Sequence, residues 1–393
     1  MRADARGVAA ALALGAAAAS IGYAAFAATR TSAFGRRARR ATLWDWRVDD
    51  MGLRRPLATV LKPVRGFEPG LEENLRSFCE QDYPAAFEVV FGVREPNDPA
   101  LAVIRRVAAA FPDRAKVVVG DGVAVFRNPK MATLAPMLGA AHGELLVIAD
   151  SDMRVTPSYL RTVVAAFYDE RVGAATCVYR GEPAAPGLAS ALGAMWISEQ
   201  FAPSALVATA LEPLTYCFGA TMAVRRDVLD AIGGLGALGD HLADDHRLGQ
   251  LVAARGYRVA LAPYVVANAV AEPNVRALFA HELRWARTIR TVRPASYPGI
   301  ALTYPIPLAL LHALLARDRR RALAVLALAV IARFALHRTA NDGLAVAKRP
   351  SPLLIPVRDF LGVAVWAAGM AGRDVRWRDE ALRITPAGDL AAR

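Results

Sequence analysis

The chain has 393 residues, enough for one large domain or two modest ones, and its hydrophobic content of 55% is high for a soluble protein. Its formal net charge of +12 comes almost entirely from arginine, and the arginines crowd beside apolar segments. This pattern favours an anionic membrane surface over nucleic acid as the partner. Cys79, Cys177 and Cys217 are far apart and show no CxxC spacing, which argues against a zinc site or a disulfide framework and favours reduced thiols.

An uncharged segment from Gly7 to Thr29 opens the chain and, as a helix, would extend about 34 Å, enough to cross a bilayer core. A cleaved signal peptide ending near AAFAAT is the alternative. The basic residues that follow the segment are Arg30, Arg36, Arg37, Arg39 and Arg40. By the positive-inside bias they place the following region in the cytoplasm. We therefore predict an uncleaved membrane anchor over residues 1–35.

The region from residue 57 to 270 alternates short β-rich runs with longer helical runs, a pattern typical of an α/β domain with a mostly parallel sheet. The predicted strands are LATVL (57–61), FEVVFGV (87–93), KVVVG (116–120), ELLVIA (144–149) and GAATCVY (173–179). Helices are predicted in PGLEENLRSFCEQ and in DPALAVIRRVAAAF, where Asp98 would cap the helix and Pro99 would take its first position. We assign this domain to residues 50–293.

Acidic residues follow two of the predicted strands, at the sheet edge where ligands of such folds bind. Asp98 follows the second strand, and the pair Asp150 and Asp152 follows the fourth. Two carboxylates one residue apart repel each other unless water, hydrogen bonds or a cation compensates them. Their hard oxygen atoms suit Mg²⁺ or Mn²⁺, which would also neutralise a diphosphate; a solvated turn after a strand is the alternative.

A second acidic pair, Asp244 and Asp245, begins a predicted helix in HLADDHRLGQLVAARGYRVAL. Acidic residues at this position stabilise the positive end of the helix dipole, whereas a carboxylate that faced a ligand would act as a general base on a hydroxyl group. Lys130, in FRNPKMATL, stands beside a predicted helix start and would either face solvent or bind a phosphate. The residues alone leave these alternatives open.

From about residue 275 the sequence becomes membrane-like. The stretch VRALFAHELRWARTIRTVR interleaves arginine with large apolar residues, which predicts a basic amphipathic helix at a membrane surface near residues 275–293. We assign 294–372 to membrane segments, with apolar runs at 299–316, 322–332 and 353–372. The first run is of spanning length despite two prolines, and the other two are marginal because Arg333, Arg358 and Asp359 interrupt them. A basic tail covers residues 373–393.

His281, Arg284 and Trp285 lie in the sequence HELRW, where the domain gives way to the membrane segments. Arg284 would pair with a leaving diphosphate, and Trp285 would stack on a sugar or another ring. Anchoring in the membrane interface is the alternative for this pair.

Taken in order, these motifs resemble those of the family 21 glycosyltransferases. The matching stretches are LKPVRGFEPGLEENLRSFCEQDYP, VREPNDPA, NPK, ADSDMRV, LADDHRLG and HELRW, with WRDEAL in the tail. The resemblance covers roughly residues 57–293 and is closer to a bacterial hopanoid-biosynthesis branch than to the ceramide glucosyltransferases. It implies a Rossmann-like glycosyltransferase-A fold and inverting transfer from a nucleotide sugar.

The resemblance also implies roles for four aspartates. Asp98 matches the first family aspartate, expected near the nucleotide, and Asp150 matches the second, which binds metal and diphosphate. Asp152 completes a D-x-D with Asp150 as a second metal ligand, a motif that the ceramide branch lacks. Asp245 matches the third aspartate, which is the presumed catalytic base.

Five further residues are implied in donor binding. Arg284 and Trp285 match the end of the family's (Q/R)xxRW motif, and Glu68 and Lys130 fall within matching stretches. His281 stands where that motif has Gln or Arg and is therefore only a possible donor contact.

The implied protein is a multi-pass enzyme of the bacterial inner membrane whose catalytic domain faces the cytoplasm. With Mg²⁺ or Mn²⁺ it would move N-acetylglucosamine from a UDP sugar to a hydroxyl of bacteriohopanetetrol, and no nucleic-acid partner is expected. Transfer of glucose to ceramide or another sphingolipid is the alternative.

Two further alternatives come from other functional classes. A phosphatase of the haloacid dehalogenase type also places D-x-D after a strand, but Arg154 occupies the position where its signature has Thr or Val. A membrane-anchored lipid-binding protein without catalysis would be expected to have lost the acidic residues or Arg284, and all of them are present.

Overall fold

A computed structural model describes residues 5–43, 55–377, 380–385 and 388–392. The chain divides into two compact units. One consists of Met1–Arg36, Gly181–Leu211 and Glu272–Glu380, and the other of Arg37–Arg180, Glu212–Ala271 and Ala381–Arg393. We call the first the helical unit and the second the α/β unit, and describe each by itself. The predicted domain start at residue 50 and part of the tail, including Arg378 and Asp379 of WRDEAL, lie outside the described residues.

The α/β unit is built on an eight-stranded mixed sheet with the order β3-β2-β1-β4-β7-β6-β8-β5. The strands are β1 (Ala58–Pro63), β2 (Phe87–Val93), β3 (Ala115–Val119), β4 (Leu145–Ile148), β5 (Met153–Arg154), β6 (Val172–Pro183), β7 (Met222–Arg225) and β8 (Arg258–Val270). Strands β1 to β4 pair in parallel, whereas β7 is antiparallel to both β4 and β6, and β5 is antiparallel to β8.

The predicted α/β class and the five predicted strands are confirmed, FEVVFGV residue for residue and the others with small shifts at their ends. The parallel portion is limited to four strands. GAATCVY, predicted as a strand of a mostly parallel sheet, lies in the antiparallel portion as β6. Strands β5, β7 and β8 were not predicted. Strand periodicity reports which face is buried and does not report the direction of the partner strand, so the sequence pattern alone could not separate the two portions.

Helices cover both faces of this sheet. They are α2 (Leu71–Cys79), α3 (Leu101–Ala110), α4 (Pro129–Gly139), α5 (Tyr159–Val164), α8 (Arg226–Ala231) and α9 (Asp244–Ala254). Alternate residues of β4 face opposite sides: Val147 packs with residues of α2, α3 and α5, and Leu146 and Ile148 pack with residues of α4, α8 and α9. Two separate apolar cores thus hold the inner strands rigidly.

The helical unit is built mainly from α-helices. They are α1 (Ala5–Thr42, of which the part up to Arg36 belongs to this unit), α6 (Leu188–Trp196), α7 (Ala202–Leu211), α10 (Val275–Val292), α11 (Pro305–Leu315), α12 (Arg319–Gly343) and α13 (Ile355–Gly369), followed by β9 (Asp374–Trp377). Among the described residues, three helices are long and apolar enough to cross a membrane: Ala5–Thr42, Arg319–Gly343 and Pro352–Gly369. The amphipathic helix predicted near 275–293 is present as α10, and its place at a membrane surface stays a prediction.

The candidate membrane segments refine the predicted spanning lengths. In the segment 299–316, predicted to be of spanning length, Tyr297–Thr303 and Pro305–Leu315 are together long and apolar enough to span, but they meet at a bend of 82° because Pro305 starts a new helix. The segment 322–332, predicted to be marginal, is part of the 25-residue α12, which passes through Arg333. The charge of Arg333 does not interrupt this apolar helix as predicted, because ion pairs with Glu199 and Asp359, each 2.9 Å long, compensate it.

The alanine-rich composition of α1 allows close helix packing. Ala17, Ala24 and Ala27 are fully buried, and a Cβ added at Gly35 would lie 2.2 Å from the carbonyl oxygen of Gly343. Small residues at such contacts let helices approach closely in an apolar environment. Packing within the helical unit therefore explains why these positions of the first segment carry alanine or glycine.

The carboxylate of Glu88, on β2, is a stability determinant of the α/β unit. It accepts hydrogen bonds from Thr59 Oγ1 (2.7 Å), Lys116 Nζ (2.6 Å) and the His142 backbone N–H (2.6 Å). Burial opposes ionisation, but the hydrogen bonds from Lys116, His142 and Thr59 outweigh it and lower the pKa of Glu88 to about 2. Because the folded-state pKa is depressed, the stabilisation is present above the ordinary value near 4.5 and is lost as the pH falls toward 2.

We expect Glu88→Gln to lower the free energy of unfolding by about 1–3 kcal/mol at pH 7, because the buried cluster loses its negative charge and one of its two acceptor oxygens. The deficit should shrink as the pH falls from about 4.5 toward 2, where the wild-type carboxyl is itself protonated. Thermal unfolding in detergent across this pH range measures both effects. Glu80→Gln, at an exposed carboxylate beside Arg76, is the control and should change stability by less than about 0.5 kcal/mol. A deficit for Glu88→Gln that does not depend on pH would contradict this role.

Candidate active site

Lys130 lies between two carboxylates that follow different elements of the α/β unit. Its Nζ atom is 2.7 Å from Oδ1 of Asp150, directly after β4, and 3.4 Å from Oδ2 of Asp244, the first residue of α9. Burial alone would lower the pKa of Lys130, but Asp150 and Asp244 outweigh that effect and raise it. Lys130 is therefore a fixed positive charge inside an acidic cluster and does not face solvent.

Asn128 fixes the position of Lys130. Its side-chain oxygen caps α4 by accepting the N–H groups of Lys130 (2.9 Å) and Met131 (3.3 Å). Its amide nitrogen donates to the carbonyl oxygen of His241 (2.8 Å) and to Oδ1 of Asp244 (3.2 Å). One side chain thus joins the start of α4 to the start of α9, which explains why Asn stands before Pro129 in NPK.

Asp245 approaches Asp150 at Gly219. A Cβ added at Gly219 would lie 3.0 Å from Oδ2 of Asp150 and 3.7 Å from Oδ2 of Asp245. The loop that carries Gly219 is held to α9 by a hydrogen bond from the Cys217 N–H to the Asp245 carbonyl oxygen (3.1 Å). Burial, and then the neighbouring charge of Asp244, raise the pKa of Asp245 to about 7. Such a carboxyl group is suited to exchange a proton near neutral pH.

Asp152 follows Asp150 by two residues after β4 and interacts with it electrostatically. Its Oδ2 atom accepts a hydrogen bond from Asn268 Nδ2 on β8 (2.8 Å). Burial, and then the charges of Glu68 and Asp150, raise the pKa of Asp152 to about 7. The carboxylate of Glu68 accepts a long hydrogen bond from Ser151 Oγ (3.5 Å), which places it beside the D-x-D segment.

Lys62, at the end of β1, is a site residue that the sequence analysis missed. It is fully buried, and its Nζ atom donates a hydrogen bond to the backbone carbonyl of Asp150. Burial lowers the pKa of Lys62 to about 7, and the charges of Asp152 and Asp150 act in the opposite direction. Its signal in the sequence is a lysine inside an otherwise apolar strand, LATVLKP, where a charge needs a partner.

Asp98 has a structural role that differs from the predicted one. Helix α3 begins at Leu101, after Ala100, so Asp98 is not its N-cap residue and Pro99 is not its first residue. The Asp98 carboxylate accepts the N–H groups of Gly66 (3.0 Å) and Ala100 (2.8 Å), and it thereby ties the turn after β1 to the start of α3. The expected nucleotide contact of Asp98 stays a prediction.

The other three predicted residues lie on α10, in the helical unit. His281 Nδ1 is 2.6 Å from Oε1 of Glu272, and its ring centroid is 4.1 Å from that of Trp285. Trp285 also stacks on Trp196 at 4.9 Å between ring centroids. Arg284 lies half-buried on the same helix. The donor contacts predicted for these residues stay predictions.

The C-terminal segment supports the loop that leads into α9. Strands β10 (Glu380–Ile384) and β11 (Leu390–Ala392) pair in antiparallel fashion. The Leu390 N–H donates to the Asp240 carbonyl oxygen (2.8 Å), and His241 Nδ1 is 3.1 Å from Oδ1 of Asp389. The predicted basic tail therefore contributes to the position of Asp244 and Asp245, which its composition did not indicate.

Negative charge is in excess at this edge of the sheet. The interacting groups are the carboxylates of Glu68, Asp150, Asp152, Asp244 and Asp245 and the ammonium groups of Lys62 and Lys130. Within the described part of the chain, no three His, Cys, Asp or Glu side chains form a complete metal site. Asp150 and Asp152 nevertheless fit a hard divalent cation, because Mg²⁺ commonly takes one or two carboxylates and completes its shell with water and substrate phosphates.

The chain is similar in sequence to known glycosyltransferases. The model of glycosyl transferase family 21 matches residues 13–390. A ceramide glucosyltransferase of Caenorhabditis elegans is 24% identical over 251 residues, which is 64% of this chain and 53% of that protein. A β-monoglucosyldiacylglycerol synthase of Trichormus variabilis is 26% identical over 186 residues, 46% of this chain and 38% of that protein. The chain thus aligns with only about half of the nematode enzyme.

The fold is shared with a solved structure. The mannosyltransferase PcManGT from Pyrobaculum calidifontis, in complex with GDP-Man and Mn²⁺, superposes with a TM-score of 0.50 and 24% sequence identity, over 90% of this chain and 97% of that one. The predicted glycosyltransferase-A type of fold is thereby confirmed. Because the family model extends from the first apolar helix to the C-terminal strands, the chain belongs to glycosyl transferase family 21.

Proposed function

We propose that this protein is a membrane-bound inverting glycosyltransferase that transfers a sugar from a UDP sugar to a hydroxyl group of a lipid. The observation that carries the proposal is the approach of Asp150 and Asp245 to one point beside Gly219, with Lys130 paired to Asp150. A general base and a diphosphate-binding group are the two functions that a single displacement at an anomeric carbon requires.

The donor diphosphate would bind at the end of β4. Asp150 and Asp152 would hold a divalent cation, Mg²⁺ or Mn²⁺, which supplies positive charge that stabilises the departing diphosphate. Lys130 would add a point charge on the same side. The rigid position of Lys130, set by Asn128, means that little reorganisation is needed when the donor arrives.

Asp245 would remove the proton from the acceptor hydroxyl. Its pKa of about 7 gives it substantial ionised and protonated populations near neutral pH, and added positive charge nearby would favour the ionised form that a base needs. One attack by the hydroxyl oxygen on the anomeric carbon breaks the bond to UDP and inverts the configuration. The proton then remains on the Asp245 carboxyl group.

A lipid acceptor is supported by the three helices that are long and apolar enough to cross a membrane and by the lipid-modifying enzymes to which the chain is similar. The motif resemblance favours N-acetylglucosamine as the sugar and bacteriohopanetetrol as the acceptor, in a bacterial inner membrane with the α/β unit facing the cytoplasm. Glucose and ceramide are the alternative pair. Membership of family 21 argues against the phosphatase alternative.

The direct test is incubation of the purified full chain with Mg²⁺ or Mn²⁺, UDP-N-acetylglucosamine or UDP-glucose, and bacteriohopanetetrol, ceramide or diacylglycerol, followed by mass analysis of the lipid. We expect bacteriohopanetetrol to gain one N-acetylhexosamine in the β configuration. Sugar transfer to ceramide alone would replace the acceptor, and the absence of any glycosylated lipid would refute the proposal.

We expect Asp245→Asn to lower kcat by about 10²–10⁴-fold while the KM for the UDP sugar changes little, because the amide cannot accept the hydroxyl proton. Initial rates at varied donor concentration separate the two parameters. Asp227→Asn, at an exposed carboxylate on α8, is the matched control and should retain wild-type kcat. A kcat within a factor of three of wild type for Asp245→Asn would remove this residue as the base.

Gly219→Ala tests the convergence of the two carboxylates. The added methyl group would lie against Asp150 and Asp245, so we expect kcat/KM for the donor to fall about 10–100-fold through displacement of Asp150. Gly139→Ala, where an added Cβ meets no atom within 4 Å, is the control and should retain activity. Equal activity of the two variants would show that Gly219 does not face the reacting groups.

A further inference from the structure

Gln200, in the helical unit, is a buried amide at 4% exposure. Neither its Nε2 nor its Oε1 atom has a hydrogen-bond partner among the residues that the structure describes. Gln81, a buried glutamine of the α/β unit, is the contrasting case: it donates to Ser77 O (2.6 Å) and Thr156 O (3.2 Å) and accepts the Leu160 N–H (2.9 Å). A buried polar group that lacks partners destabilises the fold unless water or a ligand completes its bonds.

Gln200 lies in an unusual backbone segment. Residues Ile197–Phe201 form a single π-helical stretch between α6 and α7. Such widened turns are rare and occur frequently at functional sites. The preceding residues are fixed on both sides, since Ser198 Oγ accepts the Gly181 N–H (3.0 Å) and Glu199 pairs with α12. The position of Gln200 is therefore set by its neighbours rather than by bonds of its own.

The ion pairs around Glu199 fix this stretch against the membrane helices. Arg333 Nη1 on α12 is 2.9 Å from Oε2 of Glu199, and Arg333 Nε donates to Oδ1 of Asp359 on α13 (2.9 Å). His337 Nδ1 is 2.8 Å from the other Glu199 oxygen. Arg333, Glu199 and Asp359 are fully buried. Because α12 is long and apolar enough to cross a membrane, these charged groups lie beside a segment suited to the lipid interior.

The same helices carry further unsatisfied hydrogen-bonding atoms. Within the described part of the chain, Arg333 Nη2, Asp359 Oδ2 and Asn341 Oδ1 are also buried without a hydrogen-bond partner, in addition to both amide atoms of Gln200. Donors and acceptors are thus both left over, within a group of residues that is otherwise tightly paired. A ligand with matched chemistry would carry a group that donates and accepts, as a hydroxyl or an amide does and as a hydrocarbon chain does not.

We propose that Gln200 and the π-helical stretch form a binding site for the hydroxyl- or amide-bearing portion of a lipid. The Gln200 amide donates to and accepts from this group, and Arg333, Glu199 and Asp359 hold the stretch in place. The inference rests on the proposed function only in identifying that lipid as the acceptor. Lipid binding itself is independent of sugar transfer and is tested without a sugar nucleotide.

The test compares wild type with Gln200→Met, which keeps the side-chain length and removes both polar atoms. The measurement is the thermal unfolding midpoint of the full chain in detergent, titrated with bacteriohopanetetrol, ceramide or diacylglycerol and with their O-methylated derivatives. We expect at least one hydroxyl-bearing lipid to raise the wild-type midpoint more than its O-methylated form. From these titrations, the affinity of Gln200→Met for that lipid should be about 10–100-fold weaker.

Stability without lipid separates a binding role from a structural one. Gln200→Met should be at least as stable as wild type, because it removes an unsatisfied buried amide. Gln81→Met, the control, should be less stable than wild type because it breaks three hydrogen bonds. It should keep wild-type lipid affinity because Gln81 belongs to the α/β unit.

Three results would overturn the inference: equal lipid affinity of wild type and Gln200→Met, no response of wild type to any hydroxyl-bearing lipid, or a loss of stability in Gln200→Met that matches the loss in Gln81→Met. A protein that binds the lipid through Gln200 but transfers no sugar would refute the proposed function and leave this inference standing.

Discussion

The ion pairs of Lys130 with Asp150 and Asp244 are the interaction on which the candidate site depends. They join Asp150, after the parallel strand β4, to Asp244, the first residue of helix α9, which follows 94 residues later in the sequence (244 − 150). Without this buried positive charge, the carboxylates at the sheet edge would repel each other and the two elements could not approach as closely. Asn128 joins the start of α4, which carries Lys130, to α9 through hydrogen bonds of its side-chain amide, so the position of Lys130 does not depend on ion pairs alone.

The remaining imbalance of charge underlies the chemistry that we propose for the site. Lys62 and Lys130 compensate only part of the negative charge. Burial and the neighbouring carboxylates therefore raise the pKa values of Asp152 and Asp245 to about 7. A divalent cation would relieve both the repulsion and the proton uptake. Among the described residues no complete metal site is present, which under the proposed function suits a cation whose shell is completed by the phosphates of the donor.

The sequence predicted the parts of the site that follow local rules. Asp150 and Asp152 were placed at a strand end by the apolar run before them, and Lys130 was placed at a helix start by the Asn-Pro that precedes it. Lys62, Gly219 and Asn268 were missed because their roles depend on which strands are neighbours, and the antiparallel strands β7 and β8 were not predicted. The sequence also predicts that Arg333 interrupts a membrane segment, because its ion-pair partners Glu199 and Asp359 are distant in sequence and cannot be identified from the local pattern.

The most direct test of the account is a titration of the purified full chain with Mn²⁺, followed by electron paramagnetic resonance, in the absence and presence of UDP. We expect weak Mn²⁺ binding by the protein alone and binding at least about tenfold tighter with UDP, because phosphate oxygens would complete the shell begun by Asp150 and Asp152. The double variant Asp150→Asn with Asp152→Asn should lose this enhancement. Equal Mn²⁺ affinity with and without UDP, or an enhancement that survives in the double variant, would contradict the account.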